Sequence, residues 1–180
     1  AKLEKETYQQ YLDLKENHRR MELEEAERQA RIAADPNAAA VAEMKKNGIE
    51  YLHQIRMVND ALPEEAISNK LDQLELICRR IFDYVEQHPN KLPQIRKLMS
   101  YYLPMTLKLV EAYEQLDAHR VQSASIEESK AEIHSALDKI ILAFKNLFDR
   151  LLENERMDLS ADISVLETML AQEGLTDPRK

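Results

Sequence analysis

The stretch SIEESKAEIHSALDKIILAFKNLFDRL, residues 125–151, decides the fold class of this chain. Ser125 and Glu128 have the spacing of a capping box, so we predict that a helix starts here. Apolar residues then recur mostly at intervals of three and four, which indicates one buried helical face. A helix of this kind needs other elements to cover that face. The predicted inward-facing residues are Ile126, Ile133, Leu137, Ile140, Phe144, Leu147 and Leu151.

Two earlier segments carry stripes of the same period. Asp35 and Pro36 have the residue types of a cap and a first-turn position, so we expect the second helix to start there. Pro63 is expected to open the third helix, which the stretch HPNKLP ends. The predicted stripes are Val41, Met44, Gly48, Tyr51, Ile55, Val58 and Leu62 on the second helix, and Ile67, Leu71, Leu74, Cys78, Ile81 and Val85 on the third.

The remaining helices are less regular. From Ala1 to about Ala34 the chain is rich in charge and weakly amphipathic, which is typical of a projecting or coiled-coil helix. The fourth helix is expected from about Pro93 to His119. Asp158 is expected to cap a short sixth helix that Gly174 ends. That helix carries the apolar residues Leu159, Ile163, Leu166 and Leu170.

The composition agrees with an all-α protein. Only two of the 180 residues are glycine, and strong helix formers dominate the chain. We predict an elongated antiparallel bundle of about five or six helices with a long N-terminal helix. The expected organisation is a charged helix over 1–34, a helical bundle over 35–175 and a peripheral tail over 176–180.

Charge and cysteine content restrict the compartment and the partners. The net charge of -8 repels nucleic-acid phosphates, so we predict no nucleic-acid binding. Cys78 is the only cysteine, so no internal disulfide can form, and its position on an apolar stripe predicts burial. There is neither a signal peptide nor an apolar run of ~18 residues. Because the chain starts at Ala1, we expect a soluble fragment of a longer protein with membrane segments outside it.

No catalytic constellation is visible in the sequence. Glu50 and His53 have Glu-x-x-His spacing, but a di-iron bundle needs that motif twice. A cysteine phosphatase loop would need arginine six positions after Cys78, where Tyr84 stands. The glycines that flank a serine nucleophile are also missing. We therefore predict no metal and no cofactor, and we assign no catalytic residue.

One segment differs from the acidic remainder of the chain. No acidic residue lies between Glu86 and Glu111, where cations and tyrosines surround Pro104. One interpretation is a docking surface for an acidic partner, anionic lipid headgroups or a phosphorylated ligand. We call this surface the basic elbow; its residues are Lys91, Arg96, Lys97, Tyr101 and Lys108.

The second interpretation, which the pattern favours, is purely structural. Aromatic stripes at helical spacing are usually core, with nearby lysines solvated. Pro104 then shapes the fourth helix, and Thr106 or water satisfies carbonyls that the kink exposes. The predicted core residues of this helix are Tyr102, Leu103, Leu107, Val110 and Tyr113.

Two long segments resemble a known family. They are YYLPMTLKLVEAYEQLD, residues 101–117, and LDKIILAFKNLFDRLLENERMDLSADISVLETMLAQEGL, residues 137–175. Both are similar to the bacterial bromochloroindolyl phosphate hydrolysis proteins, often called XpaC-like, most clearly over residues 91–175. The resemblance implies a mostly helical soluble region, frequently preceded by membrane-spanning segments. It also implies genes beside a toxic-anion-resistance protein of the tellurite-resistance type, and it supplies no catalytic residues.

Two functions are compatible with these observations. The preferred one is a non-catalytic interaction module on the cytoplasmic side of the bacterial membrane, working with a toxic-anion-resistance protein and contacting an anionic membrane surface. The alternative is a phosphatase acting on aryl phosphates, with the basic elbow holding the phosphate. Oligomer formation stays open.

Overall fold

The described part of the protein is almost entirely helical, with short connections between the helices. A computed structural model describes residues 1–176, except for the side chain of Ile32, and it contains no strand there. The all-α fold and the long N-terminal helix are confirmed. Most of the predicted tail, residues 177–180, lies outside the described residues. The helices are α1 (Lys2–Ala34), α2 (Pro36–Ala61), α3 (Glu65–Gln87), α4 (Leu103–Ala118), α5 (Ala124–Leu151) and α6 (Glu153–Gln172).

The bundle itself consists of α2, α3, α5 and α4, arranged in that order around the core. Lys45 near the start of α2 bonds Asp83 and Glu86 near the end of α3, at 3.2 and 2.6 Å, so these two helices are antiparallel. Tyr84 meets Phe148 near the ends of α3 and α5, which therefore run in the same direction. A 3₁₀ segment, Pro89–Ile95, contacts both α2 and α3 and connects α3 to α4, which packs mainly on α2 and α5.

The apolar stripes form one core. All six residues predicted for α3 are buried, and Cys78 is fully inaccessible. On α2 the stripe is shifted: Tyr51 and Val58 are only half-buried, whereas Leu52 and Asn59 are buried. The shift arises because α2 packs against both α3 and α4, so its buried face is broader than one seam. On α5 the buried residues are Ile133, Leu137, Ile141, Phe144 and Leu151.

The predicted fourth helix is not one piece, which makes the expected count of five or six helices slightly low. The 3₁₀ segment is followed by a π segment, Leu98–Tyr102, and only then by α4. The Leu103 amide bonds the Leu98 carbonyl, five residues back. Pro104 therefore lies in the first turn of α4, where the missing amide is least costly. The Thr106 hydroxyl donates to the Tyr102 carbonyl at 2.7 Å, whereas the carbonyl four residues before Pro104 is that of Ser100.

Several helix ends agree with the sequence and two do not. Asp35 caps α2 by accepting a hydrogen bond from the Asn37 amide at 2.9 Å. The predicted cap at Ser125 is wrong, because the Ser123 side chain accepts the Ile126 amide and α5 starts two residues earlier. Asp158 is not a cap either, since α6 already starts at Glu153.

The outer helices, α1 and α6, lie outside the core. α1 is exposed wherever its side chains are described, and pairs such as His18–Glu22 and Arg20–Glu24 run along its surface. Such pairs support a helix whose described side chains are exposed. α6 has no buried residue, so its predicted apolar stripe has no partner within the described residues.

Candidate functional site

The basic elbow spans three kinds of helix. Lys91 lies in the 3₁₀ segment, Tyr101 in the π segment and Lys108 in α4, with Arg96 and Lys97 between the first two. Lys91 is half-buried and the other four residues are exposed. The predicted burial of Tyr102 is wrong, since 40% of it is exposed, whereas Leu103, Leu107, Val110 and Tyr113 are buried as expected.

The elbow residues do not share one face. Lys97 and Tyr101 are one turn apart and Lys108 lies two turns further, so helical spacing brings these three toward the same side. Arg96 instead lines a groove between α2 and the elbow, together with Met44, Asn47, Tyr51, Leu92 and Met99. The Tyr101 ring stands edge-on to Tyr102, which contacts Phe144 on α5.

The cations of the elbow have no acidic partner. Within residues 1–176, Lys91, Arg96, Lys97 and Lys108 form no salt bridge, although Glu50 lines the same groove as Arg96 and Glu111 lies three residues after Lys108. Lys70 of α3, by contrast, bonds Asp138 of α5 at 3.1 Å. The elbow is therefore a local positive surface on a protein of net charge -8.

A polar cluster that the sequence did not indicate lies at the opposite end of the bundle. The Tyr113 hydroxyl donates to the Glu64 carboxylate, and His134 Nε2 lies 3.1 Å from the same hydroxyl. His134 Nε2 is also 3.4 Å from Glu64 Oε1. Burial, followed by the bond to Glu64, raises the pKa of Tyr113, which is therefore a neutral donor at physiological pH.

Lys130 covers one side of this cluster. Its ammonium lies 5.2 Å from the centre of the Tyr113 ring and 3.2 Å from Asp117 Oδ1. The side chains can hold and exchange protons, but Tyr113 is only 1% exposed and Lys130 is already paired. Among residues 1–176, no serine or cysteine nucleophile adjoins His134 in its hydrogen-bonding network. The arrangement is a hydrogen-bonded network that is only partly buried, since the His134 and Glu64 side chains are 20% and 40% exposed.

Within residues 1–176, neither the sequence motifs nor the arrangement of side chains indicates a metal-binding site. Glu50 and His53 are both exposed on α2. Across residues 1–176, no three histidine, cysteine, aspartate or glutamate side chains are grouped to hold a metal ion. In the same part of the chain, no helix combines the length and apolar character that crossing a membrane requires.

A family comparison covers most of the bundle. The model of the 5-bromo-4-chloroindolyl phosphate hydrolysis protein family matches residues 46–166, which is more than half of the chain. The chain belongs to this family. The region shared with the hydrolysis protein family begins in α2, includes both the elbow and the Glu64–Tyr113–His134 cluster, and ends within α6. Comparisons with curated proteins and with solved structures gave no match.

Proposed function

We propose that this protein is a non-catalytic interaction module on the cytoplasmic side of the bacterial membrane. One observation carries the proposal: the core lies within α2, α3, α4, α5 and the short segments between them, while α1, wherever its side chains are described, and most of α6 expose their apolar side chains. Exposed apolar surface beyond a finished core is typical of surfaces that bind other molecules. A catalytic site would instead need a nucleophile beside a base, and within residues 1–176 the side-chain partners of His134 are Tyr113 and Glu64 rather than a serine or a cysteine.

The basic elbow is the proposed contact with the anionic membrane surface. Lys97 and Lys108 are exposed toward the same side and Arg96 is exposed in the adjoining groove; within residues 1–176 none of the three forms a salt bridge, and each cation near an anionic surface contributes about 1 kcal/mol. Tyr101, which is 56% exposed, adds an amphipathic ring of the kind that favours the headgroup region. The partner that we propose beside the membrane is a toxic-anion-resistance protein of the tellurite-resistance type, as the family resemblance implies.

Cosedimentation with vesicles tests the elbow. Wild-type protein should bind vesicles of phosphatidylglycerol and phosphatidylcholine, and binding should weaken with salt because exposed charges are screened over ~10 Å at 0.1 M. The triple variant Arg96→Gln, Lys97→Gln, Lys108→Gln should lose this binding. The matched control Lys46→Gln, Lys139→Gln, Lys145→Gln removes three exposed cations elsewhere and should retain it. Equal loss in both variants, or no binding by wild type at low salt, contradicts the membrane contact.

The family description favours a second candidate, hydrolysis of aryl phosphates. In this protein such chemistry would have to use the polar cluster, where His134 and Glu64 could exchange protons with a bound water. His134→Gln and Glu64→Gln would then abolish hydrolysis of 5-bromo-4-chloroindolyl phosphate. If both variants hydrolyse this ester as wild type does, the cluster is not the catalytic site.

A further inference from the structure

The apolar seam of α6 is exposed at three of its four positions and half-buried at Leu170. Leu159, Ile163, Leu166 and Leu170 follow one another at intervals of four, three and four, the spacing of the a and d positions of a paired helix. Exposed fractions are 59% for Leu159, 45% for Ile163 and 56% for Leu166, whereas the core side chains of the bundle are 0–9% exposed. Ile163 at an a position and Leu at the flanking d positions are the residue types that favour two-helix pairing.

Both ends of α6 are fixed. In its first turn, Glu155 Oε1 accepts a hydrogen bond from the Tyr84 hydroxyl at 3.1 Å and lies 3.4 Å from His88 Nε2, so α6 is tied to the end of α3. At its other end, Gly174 has φ 73°, and the Leu175 amide bonds the Leu170 carbonyl at 3.0 Å. This is a Schellman termination, which confirms the expected end at Gly174. The seam is therefore presented on a well-defined helix.

Acidic residues flank this seam on both sides. In the same heptad register, Glu155 and Asp162 occupy g positions, while Glu153 and Glu167 occupy e positions. A second copy packed in parallel would bring Asp162 against Glu167, and an antiparallel copy would bring Glu153 near Glu167. Like charges at these positions oppose pairing, so α6 is poorly suited to bind itself.

We propose that the α6 seam binds one helix of a partner protein, an amphipathic helix whose apolar seam is flanked by lysine or arginine. The inference rests on the proposed function as an interaction module and specifies the partner's chemistry. Charge complementarity selects this occupant, because basic e and g residues would pair with Asp162 and Glu167. An anionic membrane surface is disfavoured here, since it would meet an acidic helix face.

A designed peptide can serve as the probe. It contains four heptads with Ile at a, Leu at d and Lys at e and g; one control has Glu at e and g, and another is a scramble of the Lys peptide. By fluorescence anisotropy, the protein should bind the Lys peptide at least about tenfold more tightly than the scramble, a difference typical of one buried apolar anchor. The Glu peptide should not bind.

Variants of α6 separate seam contacts from general charge attraction. Ile163→Ser and Leu166→Ser should each weaken binding about tenfold, whereas Leu76→Ser, at an equally exposed position on α3, should not. The double variant Asp162→Lys, Glu167→Lys should transfer the preference to the Glu peptide. Because no α6 side chain is buried, the helical circular-dichroism signal should stay unchanged in every variant.

Other results would contradict either the α6 proposal or the membrane contact of the elbow. Equal affinity for the ordered and scrambled Lys peptides would overturn the proposal, because attraction would then depend on net charge alone. A dimer in sedimentation equilibrium that Leu166→Ser dissociates would identify a second copy as the occupant instead. Vesicle binding retained by the elbow variant, with peptide binding intact, would count against the membrane contact only. Vesicle binding without peptide binding would count against the α6 proposal only.

Discussion

The Tyr113 hydroxyl donates a hydrogen bond to the Glu64 carboxylate, which joins the end of α4 to the residue that precedes α3. His134 of α5 also contacts the Tyr113 hydroxyl. Three separate parts of the chain therefore meet in one polar network at the end of the bundle opposite the basic elbow. The bundle ring α2, α3, α5 and α4 is thereby closed by a specific interaction in addition to apolar packing.

Removal of the Tyr113 hydroxyl should destabilise the protein. Tyr113→Phe keeps the ring but loses a hydrogen bond to a charged acceptor, so we expect the free energy of unfolding to fall by about 1–3 kcal/mol. Urea denaturation at pH 7 measures this change. Tyr101→Phe is the control, because Tyr101 is exposed. A Tyr113→Phe variant as stable as wild type would show that the contact contributes nothing.

The raised pKa of Tyr113 predicts that the stability of the protein falls at alkaline pH. Burial and Glu64 raise the pKa of Tyr113, so its stabilising contribution is fully present below the unfolded value of about 10 and is lost as pH rises further. The stability difference between wild type and Tyr113→Phe should therefore narrow above about pH 10. If the difference in the free energy of unfolding between wild type and Tyr113→Phe stayed constant above about pH 10, ionisation of Tyr113 would not be coupled to folding.

Glu75 should contribute stability that acid removes. Burial alone would raise the pKa of Glu75, but hydrogen bonds from Arg56 and Arg79 lower it below its usual value. A lowered folded pKa stabilises above the unfolded value of about 4.3, and this contribution disappears as pH falls through the folded pKa. Glu75→Gln should lower the free energy of unfolding by about 1–3 kcal/mol at pH 7. The difference between wild type and this variant should disappear below about pH 4. The exposed control Glu111→Gln should have little effect at either pH.

Gly48 should resist replacement even though it lies within a helix. A Cβ built there would approach Phe82 Cζ to 2.5 Å, and Phe82 is only 1% exposed. Such overpacking costs about 1–3 kcal/mol, which outweighs or cancels the gain of about 1 kcal/mol in helix propensity. In a double-mutant cycle by thermal unfolding, Gly48→Ala should be better tolerated in a Phe82→Leu background. Equal effects in the two backgrounds would mean that the residues do not clash.

Cys78 should react with a maleimide far more slowly in the native protein than in urea. The thiol is fully buried, and burial raises its pKa, so both access and thiolate formation are suppressed. Mass spectrometry of the labelled fraction over time measures the two rates. Native labelling at the denatured rate would place Cys78 on a surface or in a segment that opens readily.

The stripe of α3 was predictable because helical periodicity directly marks a face that needs burial. The same periodicity on α6 indicated an apolar face but not whether this chain covers it, and Ile163 remains exposed. The division of the fourth helix was not predictable, because a proline such as Pro104 signals a disturbance without specifying a π or 3₁₀ turn. Likewise, Ser123 and Ser125 are both competent caps two residues apart, and the sequence does not select between them.

The polar cluster was missed for a different reason. Glu64, Tyr113 and His134 lie far apart in the sequence, and none of them belongs to a spaced motif. Only the relative placement of three helices brings them together. The basic elbow, by contrast, was visible as a gap in the acidic residues, and its cations are exposed except for Lys91.

Hydrolysis of 5-bromo-4-chloroindolyl phosphate by homogeneous protein tests most directly whether this protein binds rather than catalyses. Steady-state rates should be measured with and without added divalent metals, for wild type and for the His134→Gln and Glu64→Gln variants purified identically. A non-catalytic module predicts the same background rate in all three proteins. Turnover by wild type that both variants lose, while each remains folded by circular dichroism, would contradict the interaction-module function and identify the cluster as an active site.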